Sequence, residues 1–217
     1  MSTNTTSDVA EESPDANGSE ELPGLRSRRN HPAARRVYEW ARIILVAAIL
    51  AIGVRSYAFQ TFFVPSGSML PTLQIGDRII VNRLPWVRDN IHRDDIVVFR
   101  RTPGDTDPSR PADLVKRVIG LPGETISSKG LTIYINGRAM PEPWLPNFNA
   151  QPSNDLCSQS AFDIKTTVIP KGDYFVMGDC RGNSLDSRSW GFVPASYIVG
   201  KVFVTIWRNG HPFLHWY

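Results

Sequence analysis

What this 217-residue sequence has little of narrows its function before any motif is read. Only two cysteines are present, Cys157 and Cys180, with neither a C-x-x-C spacing nor paired histidines nearby, so no zinc or dithiol redox motif is expected. The four histidines are His31 in an N-terminal tail, His92 in a connecting stretch, and His211 and His215 close to the C-terminus, which leaves no Ser/His/Asp trio. The net charge is +3, and the basic residues do not gather into a stripe with interleaved aromatics. Nucleic acid is therefore excluded as a partner. No internal repeat is visible, and helical periodicity is nearly absent beyond residue 64. The long apolar run, Ile43 to Val54, has 12 residues. As a helix it covers about 18 Å, short of a bilayer's hydrocarbon core.

What is present begins with a polar stretch, Met1 to Pro23, carrying Asp8, Glu11, Glu12, Asp15, Glu20 and Glu21 and almost no large apolar residue. Such a composition cannot bury a core, and disorder is expected. An arginine cluster follows (Arg26, Arg28, Arg29, Arg35, Arg36), and basic residues ahead of an apolar run predict a cytoplasmic N-terminus. If Tyr57 to Val64 extend the run and Arg55 reaches toward the outer headgroups, one transmembrane helix can be completed. The expected organisation is a disordered cytoplasmic tail with its basic cluster over 1–36, a single-pass plasma-membrane anchor over 37–60 and an extracytoplasmic domain over 61–217. A competing reading takes the run as a cleaved signal peptide with Ser56-Tyr57-Ala58 as the cleavage site. Both readings export the rest of the chain. Cys157 and Cys180 are either both free or joined, and an exported compartment favours the bond, worth about 3 kcal/mol by chain entropy.

Beyond the run, β-rich segments recur at Arg78–Asn82, Ile96–Arg100, Leu114–Ile119, Leu131–Ile135, Tyr174–Met177 and Lys201–Trp207, with Asn136-Gly137 as a strong turn signal. Many short strands punctuated by Gly and Pro predict an all-β domain.

Two segments carry chemistry. Ser66-Gly67-Ser68-Met69 is, by itself, a flexible serine-rich turn. A serine nucleophile needs a base, and lysine can replace histidine where an apolar environment favours the neutral amine. Lys116 lies in Leu114-Val115-Lys116-Arg117-Val118-Ile119, where strand alternation puts Leu114, Lys116 and Val118 on one face. Taken alone, that segment also suits a strand lysine that keeps its ammonium in water.

Read together, VPSGSMLPTL from Val64, IGDRIIVNR, DDIVVFRR, DLVKRVIGLPGE and FVMGDCRGNSLDSRSWGFVP resemble, in that order, the boxes of the type I signal peptidases. The resemblance runs from about Phe59 to Val193. It implies a core of antiparallel sheets with an inserted smaller β region, here 125–171, and a membrane-bound serine endopeptidase that removes signal peptides from exported preproteins by cutting after small-x-small sequences. Carried over by position, it implies Ser68 as nucleophile, Lys116 as general base, and Ser66 with the Ser68 N–H as donors to the oxyanion. Ser184 would orient the lysine, and Asp186 and Arg188 would form a supporting ion pair. Phe62, Val64, Pro65, Met69 and Val115 would line two shallow substrate pockets beside an edge that takes an extended peptide. Partners would be exported preproteins, membrane lipid and the export channel. No metal and no cofactor is implied.

The chain departs from the family pattern at Cys180, where Asn is usual, at Gly182, where Asp is frequent, and at Asp94, where Gly is usual. If Cys180 bonds Cys157, the insertion is tied to the catalytic box. Two other functions fit parts of the pattern. A different Ser/Lys peptidase, such as a self-cleaving repressor, would need a DNA-binding helical domain that this chain lacks; a conjugation maturation protease is a further member of that class. A membrane-tethered binding protein with a decayed site is countered by intact Ser68, Lys116 and Ser184.

Overall fold

A computed structural model describes residues 32–106, 108–109, 111–145, 157 and 162–217. Of the disordered tail expected over 1–36, residues 1–31 lie outside the described residues, and residues 32–36 belong to a helix instead.

Helix α1 (Pro32–Ala58) opens on a proline, which suits a first turn whose N–H groups have no intrahelical partner, and runs through the whole apolar stretch. Its 27 residues give it length. Among the described residues no helix is both long and apolar enough to cross a membrane. The helix also stops earlier than the expected anchor end at residue 60. Phe59-Gln60-Thr61-Phe62-Phe63 leaves it to form strand β1 (Phe59–Phe63), whose aromatic and β-branched residues pair with β2 (Arg78–Asn82) from Phe59↔Asn82 to Phe63↔Arg78.

Five further strands complete the line of the main sheet: β3 (Ile96–Arg100), β4 (Asp113–Gly120), β9 (Asp173–Met177), β10 (Val193–Pro194) and β11 (Ile198–Arg208). Their order is β1-β2-β11-β3-β4-β9-β10, every neighbouring pair antiparallel, and β12 (His211–Trp216) hangs on β11. Eleven residues long, β11 serves β3 with its first half and both β2 and β12 with its second. Between β4 and β9 the chain leaves to build a separate four-stranded antiparallel sheet from β5 (Thr125–Lys129), β6 (Thr132–Ile135), β7 (Arg138–Ala139) and β8 (Thr167–Val168), in the order β7-β6-β5-β8. Asn136 and Gly137 turn β6 into β7 with both residues at positive φ, 51° and 76°, the geometry an Asn-Gly hairpin requires. Short helices α2 (Pro85–Arg88) and α3 (Ser187–Trp190) sit in connections.

Alternation along the strands sends residues to separate apolar clusters. Ile79 and Val81 of β2, Ile96 and Val98 of β3 and Val202 of β11 pack with Val64, Met69 and Leu73, so the loop that carries the serines lies directly on one core. Val97, Phe99, Val118 and Val176 face another. A third, with Ile119, Ile126, Ile133, Ile169 and Phe175, joins the small sheet to the strands that flank it.

Candidate active site

Ser68 sits on a single 3₁₀ turn, Gly67–Met69, between β1 and β2. Met69, 1% exposed, plugs the turn into the core below. The loop's far end is tied back by the Val64 N–H donating to the Asp77 carbonyl at 2.9 Å. Lys116 lies within β4, opposite Val97 of β3. It is 4% exposed, and its Nζ lies 2.7 Å from Ser68 Oγ and 3.0 Å from the Val115 carbonyl. Two residues 48 apart in sequence are thus within hydrogen-bond reach.

Ser184 donates its hydroxyl to Asp186 Oδ2 at 2.8 Å and lines the same cleft as Lys116. Asp186 has no exposed surface and is the centre of a dense arrangement. Arg188 grips it with two nitrogens, Nε to Oδ1 and Nη2 to Oδ2, both at 2.8 Å, and the Gly178 N–H donates to Oδ2 at 3.0 Å. Asp186 also caps α3 by accepting from the Arg188 N–H. The pair is bidentate, with Asp186 buried and Arg188 partly exposed, and removing the arginine would leave a buried carboxylate short of its partner.

The cleft measures about 370 Å³ and brings together Ser66, Ser68, Lys116 and Ser184 with all five residues expected in substrate pockets, Phe62, Val64, Pro65, Met69 and Val115. Ser66 precedes the 3₁₀ turn with extended backbone, and its side chain makes no capping bond to that turn. Over Asp113–Lys116, β4 pairs with β3, and its pairing with β9 begins only at Arg117, so among the described residues one edge of β4 is open beside the cleft. On the cleft's other side β1 is the terminal strand of the sheet.

Comparison with known proteins gives the same direction. The model of "Signal peptidase, peptidase S26" matches residues 37–207. A signal peptidase I of Bacillus amyloliquefaciens is 40% identical over 164 residues, covering 75% of this chain and 81% of that protein. A probable signal peptidase I-2 of Synechocystis is 34% identical over 180 residues, covering 83% and 78%. This chain belongs to the signal peptidase family, peptidase S26. It is a serine endopeptidase of signal peptidase I type, built on the family's mostly antiparallel β-sheet fold. A crystal structure of a signal peptidase I from Enterococcus faecalis V583 aligns with a TM-score of 0.41 at 34% identity, over 52% of this chain and 96% of that one.

Several residues that hold this site together carry no signal of their own in the sequence. Arg117, next to the lysine, is 6% exposed and donates from Nε and Nη2 to the two oxygens of Asp179, at 2.9 and 2.7 Å. Thr72, four residues beyond Ser68, donates to Asp179 Oδ2 at 2.6 Å. Arg208 at the end of β11 donates to Asp77 and, at 3.0 Å, to the Thr72 carbonyl. Gly178 is closely enclosed: a Cβ there would lie 2.2 Å from Ser184 Oγ and 2.4 Å from the Ser68 carbonyl oxygen. The Gly178-Asp179 pair in the last box was the available signal, but one residue type says nothing about what approaches it. At the family's usual Asn, Cys180 donates its backbone N–H to the Ser68 carbonyl at 3.0 Å and is bonded through sulfur to Cys157, with Cα atoms 4.7 Å apart. At the family's usual Gly, Asp94 has φ of +74°, a left-handed conformation that explains the glycine and strains its replacement.

Proposed function

We propose that this peptidase is anchored in the plasma membrane by α1 and removes signal peptides from exported preproteins with a Ser68/Lys116 dyad. The observation that carries the reading is the 2.7 Å approach of a nearly fully buried Lys116 to Ser68 in a cleft that also holds Ser66 and Ser184. Desolvation disfavours an ammonium, so a buried lysine is suited to serve as a neutral base. It takes the Ser68 proton as Oγ attacks the carbonyl carbon. The negative charge that develops on the carbonyl oxygen is met by the Ser68 N–H and the Ser66 hydroxyl. Collapse returns the proton from Lys116 to the leaving amine and leaves an acyl-enzyme, which water, deprotonated by the same lysine, hydrolyses. Asp186, itself fixed by Arg188, holds Ser184, and Ser184 orients the lysine.

An extended substrate would add a strand along the open edge of β4 opposite Phe62 to Pro65. Apolar side chains crowd both sides of that slot, which favours small residues at the two inward positions, as in A-x-A. For the anchor, Ile43, Ile44, Leu45, Val46, Ile49, Leu50 and Ile52 are all exposed, distributed around the helix, with Tyr38, Trp40 and Tyr57 toward its ends. A helix apolar on every side calls for lipid around it.

The experiment is cleavage of an exported precursor bearing an A-x-A site, in detergent, by the wild type, Ser68→Ala and Lys116→Ala. Both variants are expected to be inactive while still binding the precursor, and wild-type activity is expected to fall on the acid side as the base is protonated. A silent wild type would favour a binding protein with a decayed site, and active variants a different nucleophile. Alkaline carbonate extraction tests the anchor: the full chain should stay with the membrane.

A further inference from the structure

A second hollow, of about 350 Å³, lies at the end of α1 and shares only Asp113 with the catalytic cleft. Arg83, Arg88 and Arg100 line it together with Tyr57 and Asp113, and the remaining lining is apolar surface of β11. The three arginines come from three places in the fold: just after β2, the last turn of α2 and the end of β3. Their convergence is a product of folding and not of a charge run.

Three guanidinium groups against one carboxylate leave the hollow positively charged. Arg83 donates from Nη1 to Gln60 Oε1 at 2.7 Å, a neutral partner that does not offset its charge, and its backbone N–H donates to the Ala58 carbonyl at the helix end, at 2.8 Å. Arg88 meets Asp89 only at 4.0 Å, with both side chains largely exposed, so that pair holds it weakly. Guanidinium forks suit the tetrahedral oxygens of phosphate, which they can bind by paired hydrogen bonds. The surroundings point to where such a phosphate would come from. Trp86, on α2 between Arg83 and Arg88, is 67% exposed, and Tyr57 is 68% exposed. Exposed indole and phenol rings beside arginines, at the point where an apolar helix ends, reproduce the headgroup level of a bilayer.

We propose that this hollow binds the phosphate of an anionic membrane lipid and so holds the peptidase domain against the headgroups. The phosphate chemistry rests on the arginines; the lipid source rests on the anchor reading above.

The test uses the full chain in neutral detergent, titrated separately with phosphatidylglycerol, phosphatidylcholine and inorganic phosphate, with bound adducts counted by native mass spectrometry. Wild type is expected to retain phosphatidylglycerol, and Arg83→Gln/Arg88→Gln to retain at least tenfold less. A charge-matched pair on the small sheet and its flank, Arg138→Gln/Lys165→Gln, should behave as wild type. Arg83→Lys/Arg88→Lys, which keeps the charge, should fall between them, and unchanged cleavage of a soluble A-x-A peptide shows that each variant is folded. Arginine-dependent retention of inorganic phosphate without phosphatidylglycerol would keep the phosphate site and reject lipid as its source. Equal phosphatidylglycerol adducts in wild type and the Gln variant, or none with any probe, would overturn the proposal. A chain released by carbonate that still retains phosphate through these arginines would defeat the anchor reading and not the site.

Discussion

Ser68 and Lys116 face each other, yet they are positioned by different physics. Lys116 is a strand residue: the β3–β4 ladder, running from Ile96↔Arg117 to Arg100↔Asp113, fixes its backbone whatever its neighbours' side chains do. Ser68 is on one turn of 3₁₀ helix in a connection with no ladder of its own. Its place is set largely by groups distant in sequence: the Cys180 N–H on its carbonyl, the close approach of Gly178, the core that receives neighbouring Met69, and Asp179 and Arg208, which hold Thr72. The geometry of the proposed dyad should therefore be robust on the lysine side and fragile on the serine side.

The strongest way to break that asymmetry is Asp179→Ala. It leaves Arg117 buried without its bidentate partner and removes the acceptor of the Thr72 hydroxyl, and a broken buried pair costs about 3–5 kcal/mol. The expected result is a large drop in the thermal midpoint, with residual activity lost even where the protein remains folded; a change of only a few tenths of a kcal/mol would show that water replaces the carboxylate. Next comes the covalent tether. Reduction of Cys157–Cys180, or Cys157→Ser, should cost about 3 kcal/mol from the restored freedom of the open chain. Because Cys180 also donates to the Ser68 carbonyl, activity should fall more steeply than stability predicts. Equal activity with and without reductant would remove the disulfide from the serine's supports. Slightly smaller in energy, but sharper, is Gly178→Ala. A methyl group 2.4 Å from the Ser68 carbonyl oxygen cannot be accommodated without moving the loop, and under the proposed mechanism a displacement of about 1 Å at Ser68 costs on the order of 100-fold in rate. The loss should appear in kcat and exceed what the accompanying destabilisation of about 1–3 kcal/mol, read from the melting curve, can explain.

The same contrast explains what the sequence reveals. Strands with alternating or continuous apolar residues, Arg78–Asn82 and Ile96–Arg100, are read with their observed limits, because each carries its own signal. By contrast, β1 is hidden: Phe59–Phe63 continues the apolar run with no turn residue to announce a strand. Thr125–Lys129 is too polar to stand out, and His211–Trp216 opens on a histidine and a proline. At the site, Ser68, Lys116, Ser184, Asp186 and Arg188 are visible through the order of the motifs. The tethers are not. Arg117 and Asp179 are 62 positions apart and Asp77 and Arg208 131, and no local pattern distinguishes a charge that will be buried against its partner from one left in water. Asp186 and Arg188 show this most directly: as spacing they equally fit an ordinary surface pair, and only packing makes Asp186 fully buried.

The smallest effect tests the lysine side. Asp94 precedes β3, holds φ at +74°, and offers its carbonyl to Arg117 Nη1 at 2.9 Å. Asp94→Gly keeps that carbonyl and removes the left-handed strain, a gain of about 1 kcal/mol partly offset by the greater freedom of glycine in the unfolded chain. The carboxyl adds a pH term. Desolvation raises its pKa above the ordinary carboxylate value, against the opposing pull of Arg117 and Arg93. The unfolded chain therefore releases this proton first, so ionisation of Asp94 costs the fold stability as pH rises through the carboxylate range, and no such cost exists while the group is protonated. The advantage of Asp94→Gly over wild type should thus be larger at neutral pH than in acid, and the A-x-A cleavage rate should be unchanged. Paired melting curves at the two pH values read the first, and a rate that falls with the substitution would show that the strand side of the dyad depends on its connecting turn as closely as the serine side does.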